Sequence, residues 1–165
     1  MTQDLKSIVA EILNTLPTAH IPMSTIGQLS QLPRKTTLEY LKEIAATGRE
    51  EVSDRAVRAI LQIDSEFGKR VLLELVQNSN WHWYFAYSAL KYGDKTFILP
   101  LCSILRESTD PNARYMAAIA LERIGDSTAL SSLTLALNDD GEDYEGRSIS
   151  EQTHKTIIAI SSRVQ

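Results

Sequence analysis

The feature that most constrains this chain is a recurrence of small residues and aspartate. Ala118, Leu121, Gly125 and Asp126 return 32 residues earlier as Ala86, Ala89, Gly93 and Asp94, and a further 30 residues earlier as Ala56, Ala59, Ile63 and Asp64. The segments that follow each aspartate also align. Leu133 and Leu137 match Leu101 and Leu105, which match Val71 and Leu75. A fainter copy lies one period further back, with Ile26, Leu29, Pro33, Leu41 and Ala45. A period of this length is the mark of stacked supersecondary units, each too small to bury its apolar face alone.

Each copy reads as two helices. Met116, Ala117, Ala120, Leu121 and Ile124 sit at the i, i+3, i+4 spacing of one helical face. The aspartate after each first helix is placed to cap the second, because its carboxylate can accept from the free N–H groups of the first turn. Gly93 and Gly125 precede two of these aspartates and are expected to take the left-handed conformation that ends a helix. Asp110-Pro111 marks another helix start, with proline where no donor is lost. Ser148 and Glu151 have capping-box spacing. Pro100 falls inside a second helix and is expected to kink it.

A stacked array needs ends that bury one face and wet the other. Residues 4–15 offer Leu5, Ile8, Val9, Ile12, Leu13 and Leu16, and residues 148–163 offer Ile149, Thr153, Ile157 and Ile160, with Val164 just beyond. The expected fold is therefore all-α: one domain over 1–165, a right-handed α-solenoid of about four helical pairs with N- and C-terminal capping helices.

The stretch from Asp110 to Asp140 resembles a HEAT-type repeat of the bacterial kind also found in phycobilin lyase subunits. Asp110, Ala113-Arg114, Ala117-Ala118, Ala120-Leu121, Ile124-Gly125-Asp126, Ala129-Leu130, Leu133, Leu137 and Asp139 carry the likeness. The preceding copy has His82 in place of the arginine and Phe85 in place of a small residue. The resemblance implies second helices lining a concave face. It implies no activity, since one fold serves many partners.

Composition closes several alternatives. Seven Gly and five Pro in 165 residues are few for a turn-rich sandwich or barrel. A lone cysteine, Cys102, excludes an internal disulfide framework and a cysteine-rich metal site. A net charge of −4 disfavours a general nucleic-acid binder. The longest apolar run, Phe97–Cys102, is far below the roughly 20 residues of a membrane span. No basic and apolar leader opens the sequence, so the expectation is a cytoplasmic protein with a reduced thiol.

No catalytic constellation emerges. His20, His82 and His154 lie far apart, without metal-ligand spacing, and Cys102 among Leu101, Ile104 and Leu105 reads as packing. Neither a metal nor a cofactor is expected. Residues 25–48 have a helix-turn-helix look, but Arg34, Lys35 and Lys42 stand among Glu39 and Glu43. Three regions remain as candidate sites. Trp81, Trp83 and Tyr87 in the run Trp81–Tyr87 form an aromatic patch or fill seams between repeats. Asp139, Asp140, Glu142, Asp143 and Glu145 form an acidic loop, a solvated linker or a surface for a basic partner. Matching positions of successive second helices give two rows: Glu39, Lys69, Leu99 and Ser131, then Glu43, Leu73, Ser103 and Leu135. Both rows fall off the buried stripe, and Lys69, Leu73, Leu99, Ser103 and Leu135 are the candidate groove residues unless lateral contacts bury the leucines. The leading reading is a non-enzymatic interaction module, a scaffold, adaptor or immunity-type inhibitor, whose partner is another protein. A chromophore-protein accessory role of the lyase type and a nucleic-acid-binding role stand as alternatives.

Overall fold

The computed structural model describes residues 2–14, 21–47 and 50–163. Among them are ten α-helices: α1 (Thr2–Asn14), α2 (Met23–Ser30), α3 (Arg34–Thr47), α4 (Glu50–Ile63), α5 (Ser65–Leu75), α6 (His82–Tyr92), α7 (Ile98–Glu107), α8 (Pro111–Ile124), α9 (Leu130–Ala136) and α10 (Ile149–Arg163). The only β pairing among the described residues is a single antiparallel bridge between Glu142 and Ser148. The chain divides into two compact units, Met1–Leu75 and Val76–Gln165.

In the first unit α3 and α5 both pack on α4, α2 also meets α4, and α1 lies on α3 and α4. Val9 and Leu13 of α1 are fully buried, which is the amphipathic face read from the sequence. Arg55 Nη1 of α4 donates to the Leu13 carbonyl at the end of α1 (3.1 Å), and Ser53 Oγ to the Ile44 carbonyl of α3 (3.2 Å). Ala56, Ala59 and Ile60 are fully buried.

The second unit has a clearer order. The first helices α6, α8 and α10 adjoin in sequence, and the second helices α7 and α9 adjoin each other. Ala86, Ala89, Ala117, Ala118 and Leu121 are fully buried. Small side chains here admit close backbone approach: Thr156 Oγ1 of α10 donates to the Ala118 carbonyl of α8 at 3.0 Å. Phe85 and Phe97 stack with centroids 4.6 Å apart and join α6 to the start of α7. Ile149, Thr153 and Ile160 bury the inner face of α10. Leu16, His20, Gly48 and Val164 lie outside the described residues.

The caps follow the sequence with one change. Asp110 accepts from Asn112 N (2.9 Å) ahead of Pro111, and Ser148 Oγ from Glu151 N (3.2 Å). Asp64 accepts from Phe67 N at 3.0 Å. Asp94 and Asp126, however, cap 3₁₀ turns, Lys95–Phe97 and Ser127–Ala129, through Thr96 N and Thr128 N. Each turn runs straight into the second helix. Pro100 is thereby the third residue of α7, where its missing donor has no intrahelical partner to lose, and α7 continues unbroken to Glu107.

Gly93 and Gly125 are not left-handed. Their φ values are −65° and −66° with extended ψ. Glycine is required there by proximity: a Cβ on Gly125 would collide with the Leu121 carbonyl and lie 2.8 Å from Ile160 Cδ1. Gly93 is crowded in the same way, by the Ala89 carbonyl and by Ile124 Cδ1 at 3.0 Å. The next first helix presses an isoleucine onto each helix end. Arginines reach the same ends. Arg123 donates to the Ala89 and Gly93 carbonyls of α6, and Arg163 to the Glu122 and Arg123 carbonyls of α8. A cation there meets the negative end of the helix dipole and occupies orphan carbonyls.

Ala118→Asp should be severely destabilising. It places a carboxylate at a fully buried position whose own carbonyl is in contact with α10. The expected loss is about 3 kcal/mol or more, read from urea unfolding. A loss under about 0.5 kcal/mol, the scale of a surface substitution, would place Ala118 outside the core.

Candidate functional site

The aromatic run divides by helical phase. On α6, Phe85 and Ala86 are fully buried and Tyr84 nearly so, while Tyr87 is exposed and His82 and Trp83 are half-buried, as is Trp81 just before the helix. Trp83 and Tyr87, one turn apart, stack with planes 8° from parallel and centroids 5.3 Å apart. Trp81 meets Tyr84 edge-on at 5.5 Å. His82 Nδ1 is buried and meets no hydrogen-bond partner among the described residues. Trp83 is thus half-buried and stacked on the exposed Tyr87.

The acidic loop is folded rather than a solvated linker. Arg114 forks onto Asp139 (Nε–Oδ2 2.7 Å, Nη2–Oδ1 3.1 Å) and also donates to the Ser108 carbonyl at 2.9 Å. One arginine so ties the end of α7 to the end of α9. Asp139 Oδ1 accepts in addition from Gly141 N at 2.9 Å. Asp143 is buried. It accepts from Glu145 N (3.0 Å), Arg147 N (2.9 Å) and the Arg147 guanidinium, which lies 4.6 Å over the Tyr115 ring. Gly146 makes the turn in the left-handed region at φ 75°. Asp140, Glu142 and Glu145 face solvent. Tyr144 is 73% exposed, with its N–H held by Asn112 Oδ1 at 2.7 Å.

The outward positions of the second helices differ between the two units. In the first, Glu39 and Glu43 are exposed, Leu73 is half-buried, and the Lys69 side chain is mostly covered and bonded to Glu66 at 2.6 Å. Lys69 is therefore not an open groove cation. Lys42 pairs with Glu74 at 2.6 Å, and Arg34 with Asp64 at 3.1 Å and the Ile63 carbonyl at 3.0 Å. In the second unit, Leu99 is 73% and Leu135 63% exposed, on helices α7 and α9 that pack against each other. Lateral contacts do not bury them. Ser103 is half-buried and Ser131 exposed beside them.

The helix-turn-helix look of residues 25–48 resolves into α2 and α3. Two of its three basic residues, Arg34 and Lys42, are already committed to carboxylates. Among the described residues no group of three His, Cys, Asp or Glu side chains could hold a metal ion. Cys102 is buried, and that burial pushes its thiol up, away from the thiolate a nucleophile needs. No described helix is long and apolar enough to cross a membrane.

Sequence reasoning missed three features. Tyr144 sits inside the acidic run and was masked by its neighbours. The Arg114–Asp139 pair joins residues 25 apart, and Arg163 follows Arg123 by 40, so neither shows in a 32-residue period.

Residues 84–150 match the family model for HEAT repeats. Neither the curated proteins nor the solved structures contain a match to this chain.

The loop gives a pH prediction. Burial alone would raise the Asp139 carboxyl, but its bonds to Arg114 and Gly141 outweigh that and hold it below its ordinary 3.8. A depressed folded value contributes stability that is present above the unfolded pKa and lost as pH falls through the folded one. Asp139→Asn should therefore lower the melting temperature at pH 7, and the gap to the parent chain should close as pH falls below about 4. A gap that is constant across pH would show that Arg114 gains nothing from the charge.

Proposed function

With HEAT repeats over residues 84–150 as the footing, we propose that the chain is a non-enzymatic protein-interaction module. The architecture we read for it is an α-solenoid with the repeat pairs α2/α3, α4/α5, α6/α7 and α8/α9, and with α1 and α10 as terminal helices. Stacked repeats present extended surfaces made of matching positions, and such surfaces are what these proteins use for binding.

The observation that carries the reading is the exposure of Leu99 and Leu135 on adjoining second helices. Each copy buries its stripe, Leu101 or Leu133, completely, so folding makes no use of these two leucines. Large exposed apolar side chains gain when a partner removes them from water, at about 25 cal/mol per Å². The ion pairs of Arg34 and Lys42 leave little free cation for a phosphate backbone in the first unit, which favours a protein over nucleic acid.

Leu99→Glu with Leu135→Glu should keep the helical circular dichroism and melting temperature of the parent, because both side chains are solvent-exposed. Affinity capture from extract of the native cell should then lose the proteins that the parent retains, by at least about tenfold. Tyr87→Ala is the companion variant. If it abolishes capture while the leucine variant binds fully, the binding surface is the α6 aromatic stack and the second-helix assignment fails. The single-domain reading has its own check. Urea unfolding should proceed as one transition seen alike by tryptophan fluorescence, from Trp81 and Trp83, and by circular dichroism. Two separated transitions would mean two independent domains.

A further inference from the structure

Gly141 is demanded by the brace around it, and that demand creates a reactive dipeptide. A Cβ at this position would lie 2.6 Å from Arg114 Nη2, 2.8 Å from Asp139 Oδ1 and 3.1 Å from Ile149 Cδ1. Arg114 could yield only by leaving Asp139, onto which it is forked. Among the described glycines only Gly146 has a positive φ, so space rather than backbone freedom selects glycine at 141. The residue before it is Asp140, whose side chain is exposed. Of the seven glycines in the chain, Gly141 alone follows an Asp or Asn.

An aspartyl-glycyl peptide carries its own electrophile and nucleophile. The Gly141 nitrogen can close on the Asp140 side-chain carboxyl carbon, and glycine puts no side chain in the way. The C–N bond forms as the C–OH bond of the protonated carboxyl breaks. The hydroxyl and the amide proton leave together as water, and a five-membered succinimide remains. Water then reopens the ring. Hydrolysis at the side-chain carbonyl restores aspartate, and hydrolysis at the main-chain carbonyl leaves isoaspartate, with one more carbon in the backbone.

In the folded chain this nitrogen is held. Gly141 N donates to Asp139 Oδ1 at 2.9 Å, and the Gly141 carbonyl accepts from Ile149 N at 3.1 Å. Both peptide planes that meet at Gly141 are thus fixed, whereas ring closure has to swing the first of them toward the Asp140 side chain. Attack also requires the amide proton to leave, and a carboxylate that accepts this proton opposes the amide anion through like charge. Arg114 keeps Asp139 in place through Nε at 2.7 Å and Nη2 at 3.1 Å. The brace that requires the glycine therefore also opposes the ring closure.

We propose that Asp140–Gly141 is a site of spontaneous succinimide and isoaspartate formation, latent in the folded chain and released when the Arg114–Asp139 brace opens. The modification needs no co-reactant beyond water. The added backbone carbon falls between Asp139 and the point where Gly141 and Glu142 meet Ile149 and Ser148 at the start of α10. Opening of the loop thereby leaves a lasting covalent mark in place of a reversible fluctuation.

The test is peptide mapping by mass spectrometry of the full chain, kept for weeks at neutral pH and physiological temperature. The succinimide is one water lighter than the parent peptide. Isoaspartate has unchanged mass, a shifted retention time, and accepts a methyl group from an isoaspartyl methyltransferase. The folded parent should convert severalfold more slowly than the parent in denaturant. Arg114→Gln and Asp139→Ala, at native circular dichroism, should convert severalfold faster than the folded parent. Asp140→Glu, which cannot form the five-membered ring, should abolish the signal. No conversion in denaturant, or a signal that survives Asp140→Glu, overturns the site. Equal rates for folded and denatured parent, or folded brace variants no faster than the parent, overturn the restraint. Where a brace variant does not fold, the parent in graded low urea decides. Conversion that rises before the global transition supports release by local opening, and conversion that rises only with global unfolding overturns it.

Discussion

The closeness of one first helix to the next governs the second unit. Ala118 presents so little side chain that Thr156 of α10 bonds to its backbone carbonyl. A Cβ on Gly125 would collide with the Leu121 carbonyl and also crowd Ile160 of α10. At such separations side chains cannot mediate the contact, so size rather than hydrophobicity decides which residues are allowed. That is why alanine stands at both 86 and 118. The same closeness brings each helix end within reach of an arginine from its neighbour, Arg123 onto α6 and Arg163 onto α8. Coupling of this kind is local: each element stabilises the one beside it, as expected of a stacked array.

What could be read from the sequence follows from that constraint. Steric requirements repeat with the fold, so Ala86, Ala89, Ala118 and Leu121 were recognisable as core and prove fully buried. Capping chemistry is also local, and Asp64, Asp110 and Ser148 bond as their spacing implied. Two readings failed because a residue type has more than one use. Glycine at 93 and 125 was assigned to backbone freedom, whereas it is there for lack of volume. Proline at 100 was assigned to the helix interior, whereas a preceding 3₁₀ turn delays the helix and leaves it in the first turn. A 3₁₀ turn and an α start share their first residues, so spacing alone does not separate them.

Charge was legible in amount but not in disposition. Five acidic residues between 139 and 145 suggest a repelling, hydrated loop. Two of them are instead structural. Asp139 is held by Arg114, and Asp143 by Arg147 and two backbone N–H groups. Both arginines lie outside the acidic run, and one of them is 25 residues away, so local pattern could not reveal the pairing. The internal use of two acids leaves Asp140, Glu142 and Glu145 outward, with Tyr144 between them. The loop is a brace between α8, α9 and α10 first, and its free charge is smaller than its composition suggests.

The candidate site shows the opposite case, in which the structure sharpens a pattern too weak to decide alone. Positions 99 and 135 were distinguished only by falling off the stripe of Leu101 and Leu133. Two explanations were equally consistent with that: burial between second helices, or exposure to a partner. Helix α7 meets α9 without covering either leucine. The equivalent outward positions of α3 and α5 hold two glutamates, a lysine paired with Glu66, and the half-buried Leu73. The repeat accepts both charged and apolar side chains at these positions. Two exposed leucines on adjoining helices are the feature on which the proposed binding surface rests. Leu99 and Leu135 are exposed as a pair, whereas Tyr87 is partly accounted for by its stack on Trp83. On this ground the second-helix face ranks ahead of the aromatic patch.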